Sequence, residues 1–501
     1  MPLVVSNVET SADRLQGLSA TDADGPVPLL AKDDAPGPKP YRHWTSSRAI
    51  VGALTVKYSV AITNAPNPRG AAPPFELRSD GGALSGLLGG FLVAPDSPEP
   101  MRLALSWALP QGGLGVSTLG VADQVSPEAK SPAQWEDTYV MGGAPGREPT
   151  RPAPDGFFGV WQGAPPFNAK ALLGWTHRLY DYDLAFFRAK SAPYTVYLRP
   201  NLVNAGGGVE VARSFVGTFD AHTRPEAFRL TLAHEMVHTF VGSLDQPQGL
   251  DASWYSEGLA VFYERVLPLR AGMIDRASFL RDLNSTAGRY YTDALNTVPN
   301  SAIAARFWAD TRVRVLPYDR GALYFAEVDA AVRKASAGRR SLDDLVMAML
   351  ARRRTGAPLT EADWIEVVTR QLGPPGRKQF DDMMAGKPII LPSDAFGPCF
   401  RRTVVPLRRY ELGFTPDVLT EPDRVVRGLV VGSTAALAGL RNGDRILKPV
   451  PQDGVQADQH AVLSLQILRG ATRLTISYLP RSQRVQSFQW VSKACLRRDA
   501  P

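Results

Sequence analysis

Apolar and polar positions alternate along much of the first third of the chain. Residues 53–63 read ALTVKYSVAIT, which has the period of two expected of a half-buried strand. Residues 102–107 and 157–161 are two further strand candidates, while the Pro- and Gly-rich stretches at 33–40 and 143–154 have loop composition. Residues 1–165 are therefore expected to form an N-terminal β-rich domain of sandwich type. No catalytic constellation is visible there, and His43 is expected to be structural or exposed.

From about residue 166 the spacing changes to that of helices. Leu172, Leu173, Leu179, Tyr180, Phe186 and Phe187 recur at helical intervals within 169–189, and PYTVYLRP at 193–200 follows as a strand. No proline interrupts 228–244, where Leu232, Met236 and Phe240 form one helix stripe. A turn containing glycine and Gln-Pro-Gln leads to a second helix around 254–260. The stretch 315–322 opens a helix that continues through Leu323, Phe325 and Val328. The stretch 341–384 is helical, with Leu342, Leu345, Met347, Leu350, Trp364, Val367, Val368 and Phe380 on its apolar face. The expected architecture is multidomain α+β, with a mainly helical domain over 166–395 and a separate module over 396–501.

The chemistry enters on the helix at 228–244. His234, Glu235 and His238 spell His-Glu-x-x-His in a chain with only six histidines. On a helix, residues four apart share a face, so both imidazoles can reach one ion. An ordinary amphipathic helix with two hydrogen-bonded histidines is the plain alternative. A catalytic zinc takes three protein ligands and keeps one position open, so a third ligand must come from elsewhere. Glu257 lies nineteen residues after His238, within Trp254-Tyr255-Ser256-Glu257-Gly258-Leu259-Ala260.

This arrangement resembles the gluzincin metallopeptidases, whose third ligand is the Glu of a Glu-Gly-x-Ala stretch. The resemblance implies a thermolysin-like fold for 166–395, one Zn2+ held by His234, His238 and Glu257, and Glu235 as general base. Glu264 matches the carboxylate that holds a ligand imidazole in the correct tautomer, with a solvated helix Glu as its alternative. Gly206-Gly207-Gly208-Val209-Glu210 resembles the Gly-rich stretch of gluzincin aminopeptidases whose Glu binds the substrate's α-ammonium. The residues that follow, Val-Ala-Arg-Ser, depart from the His or Asn common there, and a plain glycine turn with a surface Glu is the alternative. Pro317-Tyr318-Asp319-Arg320-Gly321 matches the family's Pro-Tyr-x-x-Gly, which makes Tyr318 the donor to the oxyanion; a buried structural tyrosine is the other reading.

The last hundred residues carry Tyr410-Glu411-Leu412-Gly413-Phe414, then Gly428–Ala436 and a Gly443-Asp444 turn, a pattern that resembles a PDZ domain. The resemblance implies a carboxylate-binding loop at Leu412, Gly413 and Phe414, where backbone N–H groups receive a peptide C-terminus. The second helix that borders such a groove is not evident, because 460–467 alternates as a strand. A structural or autoregulatory role for the module stands beside peptide capture.

Composition narrows the partners. The formal net charge is +7, but Lys and Arg are dispersed and runs such as Arg352-Arg353-Arg354 are short. They read as solvated faces, so no nucleic-acid partner is expected. No apolar run is long enough to span a bilayer, and MPLVVSNVET shows no signal-peptide pattern. The two cysteines, Cys399 and Cys495, flank the last module. Paired, they would fit a periplasmic or secreted protein; two separate thiols, and with them a cytoplasmic location, are the alternative.

Taken together, a β-rich domain, a gluzincin core and a PDZ-like module resemble the glycyl aminopeptidase family of bacterial metallopeptidases. That family implies release of N-terminal residues, with preference for Gly and Ala, from peptides with a free N-terminus. Glu235 would take a proton from water and return it to the leaving amine, while Tyr318 donates to the oxyanion. Two other classes remain open: an endopeptidase with the same zinc site, and a non-catalytic PDZ scaffold.

Overall fold

A computed structural model describes residues 1–6, 8–35, 37, 39–65, 73–201, 205–450 and 452–494. The chain divides into two compact units, one formed by 1–178 and 190–229, the other by 179–189 and 230–501.

The first unit is built on two five-stranded sheets. One contains β1 (Ala83–Leu87), β2 (Leu114–Ser117) and β3 (Tyr139–Gly143), with β3 antiparallel to both of the others. The other contains β4 (Phe157–Trp161), β5 (Tyr194–Pro200), β6 (Gly208–Val211) and β7 (Ser214–Phe219). Here β4, β5 and β7 run parallel, and β6 lies antiparallel on β7. Leu87, Val116, Tyr139 and Met141 from the first sheet share a buried cluster with Phe158, Val160, Tyr197 and Val216 from the second. Side chains from the two sheets thus meet in one core, whereas the alternating segment at 53–63 forms a strand over Thr55–Val60 in a separate three-stranded sheet.

Two expectations need correction. The boundary at 165 falls inside the second sheet, because β4 pairs in parallel with β5 on the far side of it. Parallel neighbours need a crossover, and helix α1 (Ala169–Phe186) supplies it. The strand at 102–107 shortens to Ala104–Leu105. Trp107 instead lies flat over Gly115 and Gly142, where added Cβ atoms would come within 2.2 and 2.6 Å of its ring. Its ring thus fills the space that side chains on β2 and β3 would occupy.

In the second unit the helices are α2 (Pro225–Val241, from residue 230), α3 (Ser253–Arg270), α4 (Arg276–Thr292), α5 (Thr311–Arg314), α6 (Leu316–Ala335), α7 (Leu342–Arg353), α8 (Glu361–Leu372) and α9 (Pro374–Met384). Their shared core includes Trp254, Tyr255, Tyr324, Phe325, Trp364 and Phe380. On α7 it takes the expected Leu342, Leu345 and Leu350 together with Val346 and Met349, while Met347 packs against it only partly buried.

The last hundred residues form an antiparallel ribbon of β8 (Phe400–Tyr410) and β12 (Arg481–Ser492) that carries a small module. Between them lie α10 (Thr434–Leu437), β9 (Arg445–Ile446), α11 (Gln452–Ala457), β10 (Leu463–Arg469) and β11 (Thr472–Tyr478), the three strands forming one sheet. The alternation near 460–467 is realised as β10, and the six-residue α11 precedes it. The ribbon is fastened to α4: the Trp490 amide donates to Asn284 Oδ1 at 2.7 Å and Asn284 Nδ2 donates back to the Trp490 carbonyl at 2.9 Å. Cys399 is buried in the helical core, and Cys495 lies outside the described residues. Among the described residues, no helix is long and apolar enough to cross a membrane.

Candidate active site

Helix α2 buries Leu232, Ala233, Met236, Val237 and Val241, an i, i+1, i+4, i+5, i+9 pattern that fixes which face turns inward. His234 and His238 fall at the edge of that face, with side chains 12% and 10% exposed. The helix ends at Gly242, whose amide donates to the His238 carbonyl at 2.8 Å. Its φ of +57° is left-handed, a conformation glycine adopts without the penalty of a side chain. The chain then returns through α3, which presents Glu257 in its first turns.

Three ligand atoms converge. His234 Nε2, His238 Nε2 and Glu257 Oε2 are each 3.2 Å from the other two. Hydrogen bonding alone does not explain such a triangle, because all three atoms are acceptors unless protonated. Tetrahedral zinc with bonds of ~2.0–2.1 Å places neighbouring ligand atoms roughly 3.3 Å apart. The donor set, two imidazoles and a carboxylate, also suits zinc.

The electrostatics agree. Burial alone would lower the pKa values of both histidines, yet both are raised, His234 by Glu257 and Glu264 and His238 by Glu257. Glu257 is held well below the usual carboxylate range: burial opposes its charge, but His238 and His234 outweigh it. A field that favours positive charge on the imidazoles equally favours a cation between them.

Glu264, two turns along α3, lies with Oε2 2.8 Å from His234 Nδ1. A proton on Nδ1 directs the Nε2 lone pair into the triangle. The other Glu264 oxygen accepts from Arg265 Nη2 at 3.1 Å, and Arg265 is paired with Asp282 on α4 at 2.6 Å. This Arg265–Asp282 support was not legible in the sequence, where the only signal is a buried charge beside Glu264.

Tyr318 enters from the first turn of α6, its ring 6.0 Å from the His234 ring and nearly parallel to it. Burial first, then the Glu257 and Glu235 carboxylates, raise its pKa well above that of a free phenol. The hydroxyl therefore keeps its proton at neutral pH and can donate it. Glu235 follows His234 on α2, and its charge is felt by His234, His238 and Tyr318. Asp319, the next residue after Tyr318, is fully buried and bound at 2.6 and 2.7 Å by two nitrogens of Arg289 on α4.

Close approach of α3 and α6 brings Glu257 and Tyr318 to one place. Gly258 and Gly321 meet where the helices touch, and a Cβ on either would lie 2.6–2.7 Å from the other's Cα. These are the glycines of the Glu-Gly-x-Ala and Pro-Tyr-x-x-Gly stretches.

Glu210 stands on β6 in the first compact unit, exposed, with its backbone opposite Phe215. In the C-terminal module, Leu412 and Phe414 are buried in the small core and Gly413 has a φ of +87°. The Tyr478 hydroxyl donates to the Leu412 carbonyl at 2.8 Å, and the Val430 amide donates to that of Gly413 at 2.8 Å. Whatever this loop offers a ligand must come from its backbone N–H groups.

Fold and site define a zinc metallopeptidase of aminopeptidase type. The family model of the M61 glycyl aminopeptidases matches residues 227–314, the segment holding His234, Glu235, His238, Glu257 and Glu264. Among solved structures, an aminopeptidase N family protein from Idiomarina loihiensis aligns over 98% of this chain and 93% of its own, with a TM-score of 0.67 at 14% identity. An M1 zinc metallopeptidase from Deinococcus radiodurans aligns over 75% of this chain and 86% of its own, with a TM-score of 0.45 at 17% identity. Yeast LTA4 hydrolase aligns over 75% of this chain and 60% of its own, with a TM-score of 0.44 at 13% identity. No curated protein matches the chain in sequence.

Proposed function

We propose that the chain hydrolyses N-terminal residues, with a preference for glycine and alanine, from peptides that carry a free amino terminus. The observation that carries this reading is the triangle of His234 Nε2, His238 Nε2 and Glu257 Oε2 with 3.2 Å sides. In it His234, His238 and Glu257 hold one zinc ion, and Glu264 orients His234. The preference for small residues rests on the family's description as glycyl aminopeptidases.

Zinc, when bound, supplies Lewis acidity that lowers the pKa of water toward ~7 and polarises a carbonyl. Glu235 accepts the proton that water gives up on attacking the scissile carbonyl and passes it to the leaving amine. Tyr318, its hydroxyl still protonated, donates to the oxygen on which charge develops. Glu210 takes the α-ammonium of the substrate, which is the contact that would make the enzyme an exopeptidase.

The working layout is an N-terminal β-rich domain, a gluzincin domain and a PDZ domain over 396–501. Capture of a peptide carboxylate at Leu412, Gly413 and Phe414 rests on the sequence pattern; the neighbouring cavity of about 580 Å³ is lined by Arg408, Glu411, Ser433 and Arg484 and not by those three residues. A periplasmic or secreted location follows if Cys399 and Cys495 are paired.

Zinc content should be measured alongside hydrolysis of a panel of aminoacyl arylamides and of an N-acetylated peptide. About one zinc per chain with cleavage of glycyl and alanyl arylamides supports the reading. Internal cleavage of the blocked peptide would make the enzyme an endopeptidase with the same site, and absence of zinc and of hydrolysis would leave a binding scaffold.

A further inference from the structure

The C-terminal module reaches the helices that carry Tyr318. Asp453, on α11, accepts from Arg314 Nη2 at 2.7 Å and Nε at 3.3 Å, and also from the Thr311 hydroxyl. Three residues on, Gln456 is fully buried and donates to Asp293 Oδ2, at the end of α4, at 3.4 Å. Helix α11 is thus seated against the ends of α4 and α5.

What it grips is the lead-in to the site tyrosine. Helix α5 runs into α6 without losing helical register: the Val315 amide donates to the Thr311 carbonyl at 3.1 Å, and the Asp319 amide to that of Val315 at 2.9 Å. Arg314 and Tyr318 are therefore four apart on one continuous helical run and share a face. On the other side of Tyr318, Arg289 holds Asp319 through two nitrogens. The tyrosine lies between two clamps, one from α4 and one from the C-terminal module.

As a contributor to stability the outer clamp is weak. The Asp453 side chain is 50% exposed, and ion pairs exposed to water contribute little to stability. Geometry is another matter, because a misplacement of about 1 Å at a reacting centre can cost roughly a hundredfold in rate.

We propose that the C-terminal module is a working part of the hydrolytic site, with Asp453 as a positioning residue that fixes the Tyr318 turn through Thr311 and Arg314. The inference rests on Tyr318 being the oxyanion donor. In the full-length, zinc-loaded protein, Asp453→Asn should leave zinc content and Tm unchanged. It should lower kcat by about tenfold with little change in KM. Asp453→Glu should recover part of the loss. In a Tyr318→Phe background the same substitution should cost nothing further, because it acts through the hydroxyl already removed. Amide hydrogen exchange over 311–319 should be faster in Asp453→Asn than in the parent. Unchanged exchange, unchanged kcat, or a full tenfold loss repeated in the Tyr318→Phe background would each overturn the inference. A Tyr318→Phe enzyme with undiminished kcat would instead overturn the role of Tyr318, and the exchange data would then decide whether Asp453 holds the turn.

Discussion

Gly258 and Gly321 touch across α3 and α6 with no room for a side chain on either: a Cβ built on Gly258 would stand 2.6 Å from the Cα of Gly321. Each lies beside a site residue, Gly258 next to Glu257 and Gly321 three positions after Tyr318. Replacement by alanine should separate the helices and move the ligand away from the tyrosine. Overpacking of this kind costs about 1–3 kcal/mol, against about 1 kcal/mol gained from better helix propensity. Gly258→Ala and Gly321→Ala should therefore lower Tm and reduce kcat by at least ~10-fold. Gly174→Ala on α1, where an added Cβ meets nothing within 4 Å, should keep or raise Tm and serves as the control. Full activity in both site variants would show that the close approach does not set the geometry.

The ligand triangle gives a separate test. His234→Ala, His238→Ala or Glu257→Ala should abolish stoichiometric zinc, measured by elemental analysis of dialysed protein. Glu235→Gln should keep the zinc and lose at least ~10³-fold in kcat, because the ligand set is intact and the proton acceptor is gone. Zinc lost from Glu235→Gln would make that residue part of the metal site rather than the base.

The contrast between ligands and support explains how much was legible in the sequence. His234, His238, Glu257, Glu264 and Tyr318 sit in short local patterns, and helical spacing converts those patterns into shared faces. The structure brings all five together with Glu235. Arg265–Asp282, Arg289–Asp319 and Arg314–Asp453 pair residues 17, 30 and 139 positions apart across different helices. No local period encodes such contacts. The sheet that runs across residue 165 was not legible for a related reason: parallel pairing of β4 with β5 depends on a helix crossover, not on composition at the junction. Trp107 likewise alternates as a strand residue would but is used as a lid over two glycines.

Tyr318→Phe removes one hydroxyl and leaves the ring beside His234. Folding should be nearly unchanged, kcat should fall by ~10²-fold, and KM should move little, as for a contact made mainly in the transition state. Steady-state kinetics on a single arylamide suffice. An unchanged kcat would make the tyrosine structural.

Asp293 should give the fold a pH dependence. It is 2% exposed at the end of α4, and burial raises its pKa from 3.8 to about 7, overriding the Leu295 amide and Arg312. The folded protein therefore keeps a proton that the unfolded chain releases near 4. Stability from this group is complete below about pH 4 and is lost as pH rises through about 7. Asp293→Asn keeps the acceptor for the Leu295 amide but cannot ionise. The Tm of the parent should fall more between pH 5 and pH 8 than that of the variant. Parallel Tm profiles would show that Asp293 is not held protonated.

Glu210 decides between exo- and endopeptidase. It is exposed on the antiparallel strand β6, after three glycines, and its role as amine anchor rests on that sequence pattern. If it binds the α-ammonium, Glu210→Gln loses a charge-assisted hydrogen bond worth about 1.5–3 kcal/mol. That corresponds to roughly ten- to a hundredfold in kcat/KM for substrates with a free amine. N-acetylated substrates carry no charge at that position, so they should be poor for the parent and no worse for the variant. The informative quantity is the ratio of free to blocked rates in both proteins, because a general loss of fold or cleft lowers both rates and leaves the ratio unchanged. A selective loss on the free amine assigns Glu210 to the substrate's N-terminus. Equal losses on both substrates would remove it from the site, and another group would have to account for any preference for free amino termini.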